Sequence, residues 1–343
     1  MRRSVVTIDL GAVRHNARTL LEALAGAELW AVVKADGYGH GARDVARAAL
    51  EAGAAALCVA TLQEALELRA AFRDARILVM GPTDEQDWAS AREAALELTV
   101  ANGRVPDGVP VHLKLDTGMG RWGLSELPEP PAKVVGVMSH LATADSDPGF
   151  AELQVDRFRE AVAPYRRRLT CHVANSAAAL RLRSARFDAA RCGIALYGLS
   201  PFAADPSEDA LRPVLSWHSE VALSKRLSEG ESTGYGRRFR AERPTWIGIV
   251  PLGYADGFRR DLTGIEVLVG GERRRVVGTV SMDAFAVELD REPEPRTPVT
   301  VVGEGILLEE HARVAGTINY ELATGVNSAA ARADRVVIDA RAG

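Results

Sequence analysis

The stretch Leu29-Trp30-Ala31-Val32-Val33-Lys34-Ala35-Asp36-Gly37-Tyr38-Gly39-His40-Gly41 decides how the chain is read. Five apolar residues without polar alternation predict a strand buried on both faces, as in parallel sheets. The strand ends on a lysine, and a glycine-rich turn leads into a helical pattern over residues 42–52. This is one βα unit, and its surroundings repeat it. Val5-Val6-Thr7-Ile8 predicts a strand. Residues 10–24 predict a helix, with Leu10, Val13, Ala17, Leu20, Leu21 and Leu24 on one side. Further strands are predicted at 56–59, 77–80, 111–115, 134–138 and 169–173, and a further helix at 62–72. About eight such units fit this part of the chain, which matches a (β/α)8 barrel.

The texture changes after residue 211. Apolar runs at 217–223, 245–250, 265–269, 276–280 and 299–302 are separated by turn-like segments such as Val269-Gly270-Gly271 and Glu292-Pro293-Glu294-Pro295. Helical periodicity is scarce until 308–315. The expected fold is therefore α/β: a TIM-like barrel over 1–211, then a mainly β domain over 212–343, with the crossing near 202–207.

Bulk properties exclude several classes of function. A net charge of −4 with spread basic residues argues against nucleic acid. No apolar run nears the roughly 20 residues of a membrane helix. Met1-Arg2-Arg3-Ser4 is basic but runs into no signal-peptide core. Cys58, Cys171 and Cys192 form neither a CxxC pair nor a disulfide framework, so a reducing cytoplasm is expected. The seven histidines are scattered and HExxH is absent, so no metal is expected.

Lysine occurs only at 34, 114, 133 and 225 in a chain of 42 basic residues. Where arginine serves nearly every positive charge, a retained lysine suggests chemistry that needs an amine. Lys34 ends a buried strand, where barrel active sites lie, and a desolvated lysine there can form a Schiff base. Gly37-x-Gly39-x-x-Ala42 also fits a dinucleotide fingerprint. That motif needs a carboxylate after the next strand, and Ala60-Thr61 stand there instead.

Other strand ends carry polar motifs. Lys114-Leu115-Asp116-Thr117-Gly118-Met119-Gly120-Arg121 contains a single Asp-Thr-Gly in an α/β context, which rules out an aspartic protease dyad. Ser139-His140 follows a strand. His172-Val173-Ala174-Asn175-Ser176 leads into a helix start, where Ser176 and open amides suit a phosphate and Asn175 suits the cofactor or a plain helix cap. Arg191-Cys192-Gly193-Ile194 ends another strand, with a barrel salt bridge as the plain alternative for Arg191. Thr233-Gly234-Tyr235-Gly236 and Gly253-Tyr254-Ala255-Asp256-Gly257 are tyrosine loops in the β region.

In order and over almost the whole chain, these segments resemble the alanine racemase family. The resemblance implies a barrel followed by a β domain, and pyridoxal 5'-phosphate as cofactor. Lys34 matches the lysine that carries the cofactor as an aldimine and serves as one base. Tyr235 matches the opposite base, contributed by the partner subunit of a homodimer with shared active sites. Tyr38, Ser176, Gly193 and Ile194 match phosphate-binding positions. Arg191 matches the arginine at the pyridine nitrogen, His172 the residue orienting it, and His140 the one beside the catalytic tyrosine. Arg121 and Met282 match positions holding the substrate carboxylate. Lys114 matches a lysine often carbamylated, and Tyr254 one at the substrate entrance.

The implied reaction interconverts L- and D-alanine, supplying D-alanine for peptidoglycan. A racemase of broader range, taking serine for example, is the alternative. A barrel decarboxylase would need a different acid near Tyr235 and Met282, and a non-catalytic carrier should lack the β domain. Tyrosine is a weak base near neutrality, so His140 is expected to lend cationic or hydrogen-bonding help. Three segments depart from the family. Ser281 stands where cysteine is frequent, Ser328 where a phosphate-contacting tyrosine is usual, and Ala329-Ala330-Ala331-Arg332 where Arg-Val-Pro-Arg is usual.

Overall fold

A computed structural model describes residues 3–340. Met1 and Arg2, part of the basic N-terminus read above, lie outside the described residues, as do 341–343. Eight strands close into a parallel barrel: β2 (Glu28–Val32), β3 (Ala56–Val59), β4 (Ile77–Val79), β5 (Glu97–Val100), β6 (Val111–Lys114), β7 (Val134–Met138), β8 (Thr170–His172) and β9 (Ala189–Cys192). They pair in chain order, and β9 returns to β2 with Trp30 opposite Arg191. Residues 12–202 and 206–212 form this unit.

The helices between the strands carry the local signals that start them. Leu10–Leu24 forms α1. Gly37 lies in a short turn, α2 (Lys34–Tyr38), which precedes α3 (Ala42–Glu51). In α4 (Leu62–Ala71), Thr61 and Glu64 form a reciprocal capping box. After α5 (Trp88–Glu93), α6 (Pro148–Val162) begins with Asp147 accepting from the Phe150 amide and with proline in the first turn. Asn175 caps α7 (Ser176–Arg181), its side chain accepting from the Ala178 amide at 3.0 Å.

The first strand corrects the sequence reading. β1 (Val5–Asp9) is not a barrel strand. It pairs antiparallel with β10 (Leu215–Glu220) and parallel with β19 (Asp334–Ile338), within the second unit. Its burial alternates, with Val6 and Ile8 inside and Val5 and Thr7 partly exposed, whereas β3, β6 and β9 are buried throughout. Alternation marks a sheet covered on one face and continuous burial a barrel wall. The eighth barrel strand is instead β5, which lies in the Glu97-Leu98-Thr99-Val100 segment where no strand was predicted. The expected division at 211/212 also shifts, because residues 3–11 belong with 203–205 and 213–340.

In that second unit the remaining strands are β11 (Leu223–Leu227), β12 (Ser232–Thr233), β13 (Phe239–Arg240), β14 (Thr245–Val250), β15 (Glu266–Val269), β16 (Glu272–Val277), β17 (Phe285–Leu289) and β18 (Pro298–Val302). Nine strands form one sheet in the order β11-β14-β17-β16-β15-β18-β10-β1-β19, and β12-β13 is a separate ribbon. Two helices, α8 (Leu308–Ala315) and α9 (Asn319–Gly325), complete the unit.

Three loops of this unit are tied together. The amides of Tyr254 and Ala255 donate to the carbonyls of Ser281 and Met282, both at 3.1 Å. Thr279 Oγ1 donates to the Tyr235 carbonyl at 2.9 Å. The buried Asp256 carboxylate receives Arg332 Nε at 2.8 Å, Arg3 Nη2 at 3.2 Å and the Gly253 amide at 2.9 Å. Arg332 reaches on to Asp283 at 2.9 Å. Gly257 sits at φ +99°, and a Cβ there would lie 2.2 Å from the Gly325 carbonyl oxygen. Gly257→Ala is therefore expected to destabilise this unit by about 1–3 kcal/mol. Urea unfolding followed by tryptophan fluorescence checks this, and an unchanged midpoint would contradict the tight packing.

Candidate active site

The barrel brings Lys34, Lys114, His140, His172, Ser176 and Arg191 to the C-terminal ends of its strands. Lys34 follows β2 and opens a turn in left-handed backbone: φ is 51° at Ala35, 49° at Asp36, 61° at Gly37 and 54° at Tyr38. For the three non-glycine residues this costs roughly 1–2 kcal/mol each. The surroundings hold the turn in place. Glu64 Oε1 accepts from the Ala35 amide at 2.7 Å, and Asp36 Oδ1 from the Ala42 amide at 2.8 Å. Strain kept by such over-determination is characteristic of functional sites.

The turn places Tyr38 against the segment after β9. The rings of Tyr38 and Tyr197 stack with centroids 4.9 Å apart, and Tyr197 Oη donates to the Val32 carbonyl at 2.8 Å. A Cβ on Gly193 would lie 2.6 Å from Tyr38 Oη, so only glycine lets the hydroxyl come this close to the backbone. Ser176 Oγ accepts from the amides of Gly193 at 3.1 Å and Ala195 at 3.3 Å. Tyr38, Ser176, Gly193 and Ile194 thus meet in one cradle. Burial, then the Cys192 thiol, raises the Tyr38 pKa, so its hydroxyl remains a donor. A cradle of hydroxyls and backbone amides fits a phosphate group.

Arg191 is buried at the centre. Its Nη1 donates to His172 Nδ1 at 2.6 Å and to the His172 carbonyl at 3.0 Å. Its Nη2 donates to the Ser139 carbonyl at 2.6 Å and lies 3.5 Å from His140 Nδ1. Burial lowers its pKa to about 10, so the guanidinium stays charged at neutral pH. Among the described residues these partners are imidazoles and carbonyls, so Arg191 does not form the barrel salt bridge that is its plain alternative.

Cations depress one another here. Burial, then Arg121, lowers the Lys34 pKa against an opposing pull from Glu64. Burial, then Arg191 and Arg121, pushes Lys114 down to about 8. Burial, then Arg191, Lys114, Arg121 and Lys34, pushes His140 to about 3. His140 is therefore neutral, and of the two kinds of help expected from it only hydrogen bonding remains. Lys114 Nζ lies 5.5 Å and the Arg121 guanidinium 5.0 Å from the Trp122 ring centre. Sequence reading passed over Trp122 because its neighbours carried the charges. Beside these residues a cavity of about 220 Å³ opens between Met80, Trp88, Thr99, Lys114, Arg121 and Trp122. The larger concavity, about 810 Å³, is an open groove along Asp116, Arg157 and Tyr165 and is not lined by Lys34, Arg191 or the cradle. Asn175 takes the capping role that the sequence left open. In the second unit, Tyr235, Met282 and Tyr254 stay 72%, 53% and 43% exposed on the three joined loops.

Comparison with known proteins fits this geometry. The family model for the N-terminal domain of alanine racemase matches residues 8–201, and that for its C-terminal domain matches 214–336. The chain belongs to the alanine racemase family. It is 41% identical to alanine racemase 1 of Bacillus subtilis (strain 168) over 351 residues, covering 94% of this chain and 90% of that one. The crystal structure of alanine racemase from E. faecalis superposes with a TM-score of 0.89 at 36% identity, covering 98% of both chains. That of the Bartonella henselae alanine racemase with covalently bound pyridoxal phosphate gives 0.86 at 27%, over 98% of this chain and 100% of that one.

Within this alanine racemase family member, the residues flanking the C-terminal departures, Arg332 after Ala329-Ala330-Ala331 and Asn327 before Ser328, have structural roles. Arg332 is the ion-pair partner of Asp256 and Asp283, and so ties the Tyr254 loop to the Met282 loop. Asn327, beside Ser328, donates to the carbonyls of Asp256 and Ala255.

The desolvated imidazoles also set a pH dependence. Burial is the first cause that lowers the pKa of His112, His140 and His172. In the unfolded chain they protonate near 6.5. Below that pH the unfolded state binds more protons than the folded one, so their contribution to stability is full above it and lost as pH falls. The melting temperature should fall between about pH 7 and about pH 5. A flat profile over that interval would sink the assignment of neutral histidines.

Proposed function

We propose that this alanine racemase family member interconverts L- and D-alanine with pyridoxal 5'-phosphate, as a homodimer with shared active sites. Its product supplies D-alanine for peptidoglycan. The observation that carries the reading is the half-buried Lys34 amine, its pKa lowered, beside a cradle that a Cβ at Gly193 would fill. Tyr38, Ser176, Gly193 and Ile194 would hold the phosphate, with Asn175 capping the helix that carries Ser176. Arg191 would face the pyridine nitrogen, and His172 orients it. Bound pyridoxal phosphate supplies the electron sink for the charge left when a Cα proton departs.

The protein's own groups do the rest. Lys34 binds the cofactor through Nζ, and that amine takes or returns a proton on one face of the substrate. Burial favours the unprotonated amine that this needs. Tyr235 serves the opposite face from a second copy of the chain. The wide exposure of its ring supports a partner there. His140, being neutral, assists by hydrogen bonding with the Arg191 cation behind it. Because Arg191 remains protonated, it would donate a hydrogen bond to the pyridine nitrogen rather than give up a proton, which would moderate the electron sink that the bound cofactor supplies and limit side reactions. Arg121 and Met282 hold the substrate carboxylate, and Tyr254 lines its approach. Lys114, with a pKa near 8, has enough free amine to be carbamylated, and the resulting anion would pair with Arg121.

Three buried free cysteines support a reducing cytoplasmic setting. Among the described residues no helix is long and apolar enough to cross a membrane.

The purified protein with added pyridoxal phosphate should racemise alanine with a kcat/KM well above that for serine. Absence of turnover would defeat the reading, and a comparable value for serine would broaden it. Lys34→Ala and Tyr235→Phe should each abolish or nearly abolish racemisation. Mixed and refolded together, they should regain activity, because one site of the mixed dimer has both bases. No recovery in verified mixed dimers would argue against shared sites.

A further inference from the structure

Beneath the mouth of the barrel, polar side chains cross its interior in single file. Arg191 Nη1 lies 2.6 Å from His172 Nδ1. His172 Nε2 lies 2.9 Å from His112 Nδ1. His112 Nε2 lies 2.8 Å from Glu97 Oε2, and Arg76 Nε donates to Glu97 Oε1 at 2.7 Å. Both imidazoles are wholly buried. The barrel is built around them. A Cβ on Gly136 would lie 2.1 Å from His112 Nδ1, so this interior position must be empty. The Trp30 ring packs 4.4 Å from His172 and 5.6 Å from His112, and the Arg76 guanidinium stacks over Trp30 at 4.4 Å.

The two ends of the file fix its direction. A guanidinium can only donate, and an ionised carboxylate can only accept. Glu97 stays ionised: burial pushes its pKa up, but the bonds from His112 and Arg76 outweigh that and lower it. A neutral imidazole offers one donor and one acceptor. Since Arg191 donates to His172 Nδ1, the proton of His172 must sit on Nε2. His112 Nδ1 must then accept, so its proton also sits on Nε2 and is given to Glu97. The opposite tautomer, or an imidazolium, at either ring would set two N–H groups against each other in a dry core.

We propose that Glu97, acting through His112, is a positioning residue that selects the His172 tautomer and so holds the Arg191 guanidinium in place. Its catalytic consequence rests on the reading that Arg191 faces the cofactor; the order of the file does not. Replacing Glu97 by leucine leaves His112 with no acceptor, which frees both rings to reverse. Reversal turns an N–H of His172 toward Arg191 Nη1. Glutamine keeps an amide oxygen that can accept from His112, so it should preserve the order although it removes the charge.

Histidine labelled with 15N in the full-length protein tests this directly. His112 and His172 should both appear as neutral Nε2–H tautomers, assigned through Gln or Asn variants of each. An Nδ1–H tautomer or an imidazolium at either overturns the proposal, whatever the activity. In the loaded enzyme, Glu97→Leu should lower kcat about tenfold with KM little changed and should shift the absorbance band of the bound cofactor. Glu97→Gln should restore both toward wild type. Glu97→Leu with unchanged kcat and spectrum, or equal losses in the two variants, overturns it. If Glu97→Leu does not fold, the tautomers of the unmodified protein decide. A protein that turns over no alanine but shows the ordered tautomers would fail the functional reading and leave this one standing.

Discussion

The structure depends on a concentration of positive charge at the mouth of a dry barrel. Lys34, Lys114, Arg121 and Arg191 act on one another strongly enough that burial and mutual repulsion lower the pKa of both lysines, and His140 is held neutral among them. Among the described residues, Glu64 pulls Lys34 and Asp116 pulls Lys114 the other way. Asp116 is itself engaged with the amides of Gly118, Met119 and Gly120. A site of this kind favours anions, and it makes amines reactive by making their protonated form costly. A cofactor phosphate and an amino-acid carboxylate are both anions, and a free amine is what a carbonyl cofactor requires.

Holding that charge in place requires a rigid frame. Continuous burial of the barrel strands supplies one through close packing, and the left-handed turn after Lys34 adds a strained but over-determined segment. The polar file from Arg191 to Glu97 is the counterpart inside the core. Buried polar groups are costly unless every partner is satisfied. Here each ring nitrogen has one, so the file specifies a unique arrangement rather than a weak point.

The β unit solves a different problem. It leaves Tyr235, Tyr254 and Met282 exposed on loops that are themselves fixed. Backbone bonds between the loops, and the buried Asp256 between Arg3 and Arg332, hold the chain while the side chains remain outward. Ion pairs to a buried carboxylate are sensitive to the loss of either partner. Arg332 therefore matters for loop geometry, and it keeps the family's arginine where Ala329, Ala330 and Ala331 depart.

Much of this was legible in the sequence. The helices at 10–24 and 308–315 and the strand at 245–250 follow from periodicity alone, because local hydrophobic spacing reports which face is buried. Lys34 stood out as a rare amine at a strand end and Ser176 as a hydroxyl at a helix start, whereas Tyr38, Gly193 and Ile194 came only through the resemblance to alanine racemases. Tertiary structure decided the rest. Val5–Asp9 reads as a strand either way; which sheet it joins depends on long-range pairing with Leu215–Glu220 and Asp334–Ile338. No spacing links Glu97, His112, His172 and Arg191, which meet only because four barrel strands turn them inward. Whether His140 is charged likewise depends on desolvation and on cations far away in the chain. Local propensity is written in neighbours along the chain, whereas hydrogen-bond direction and protonation are set by neighbours in space.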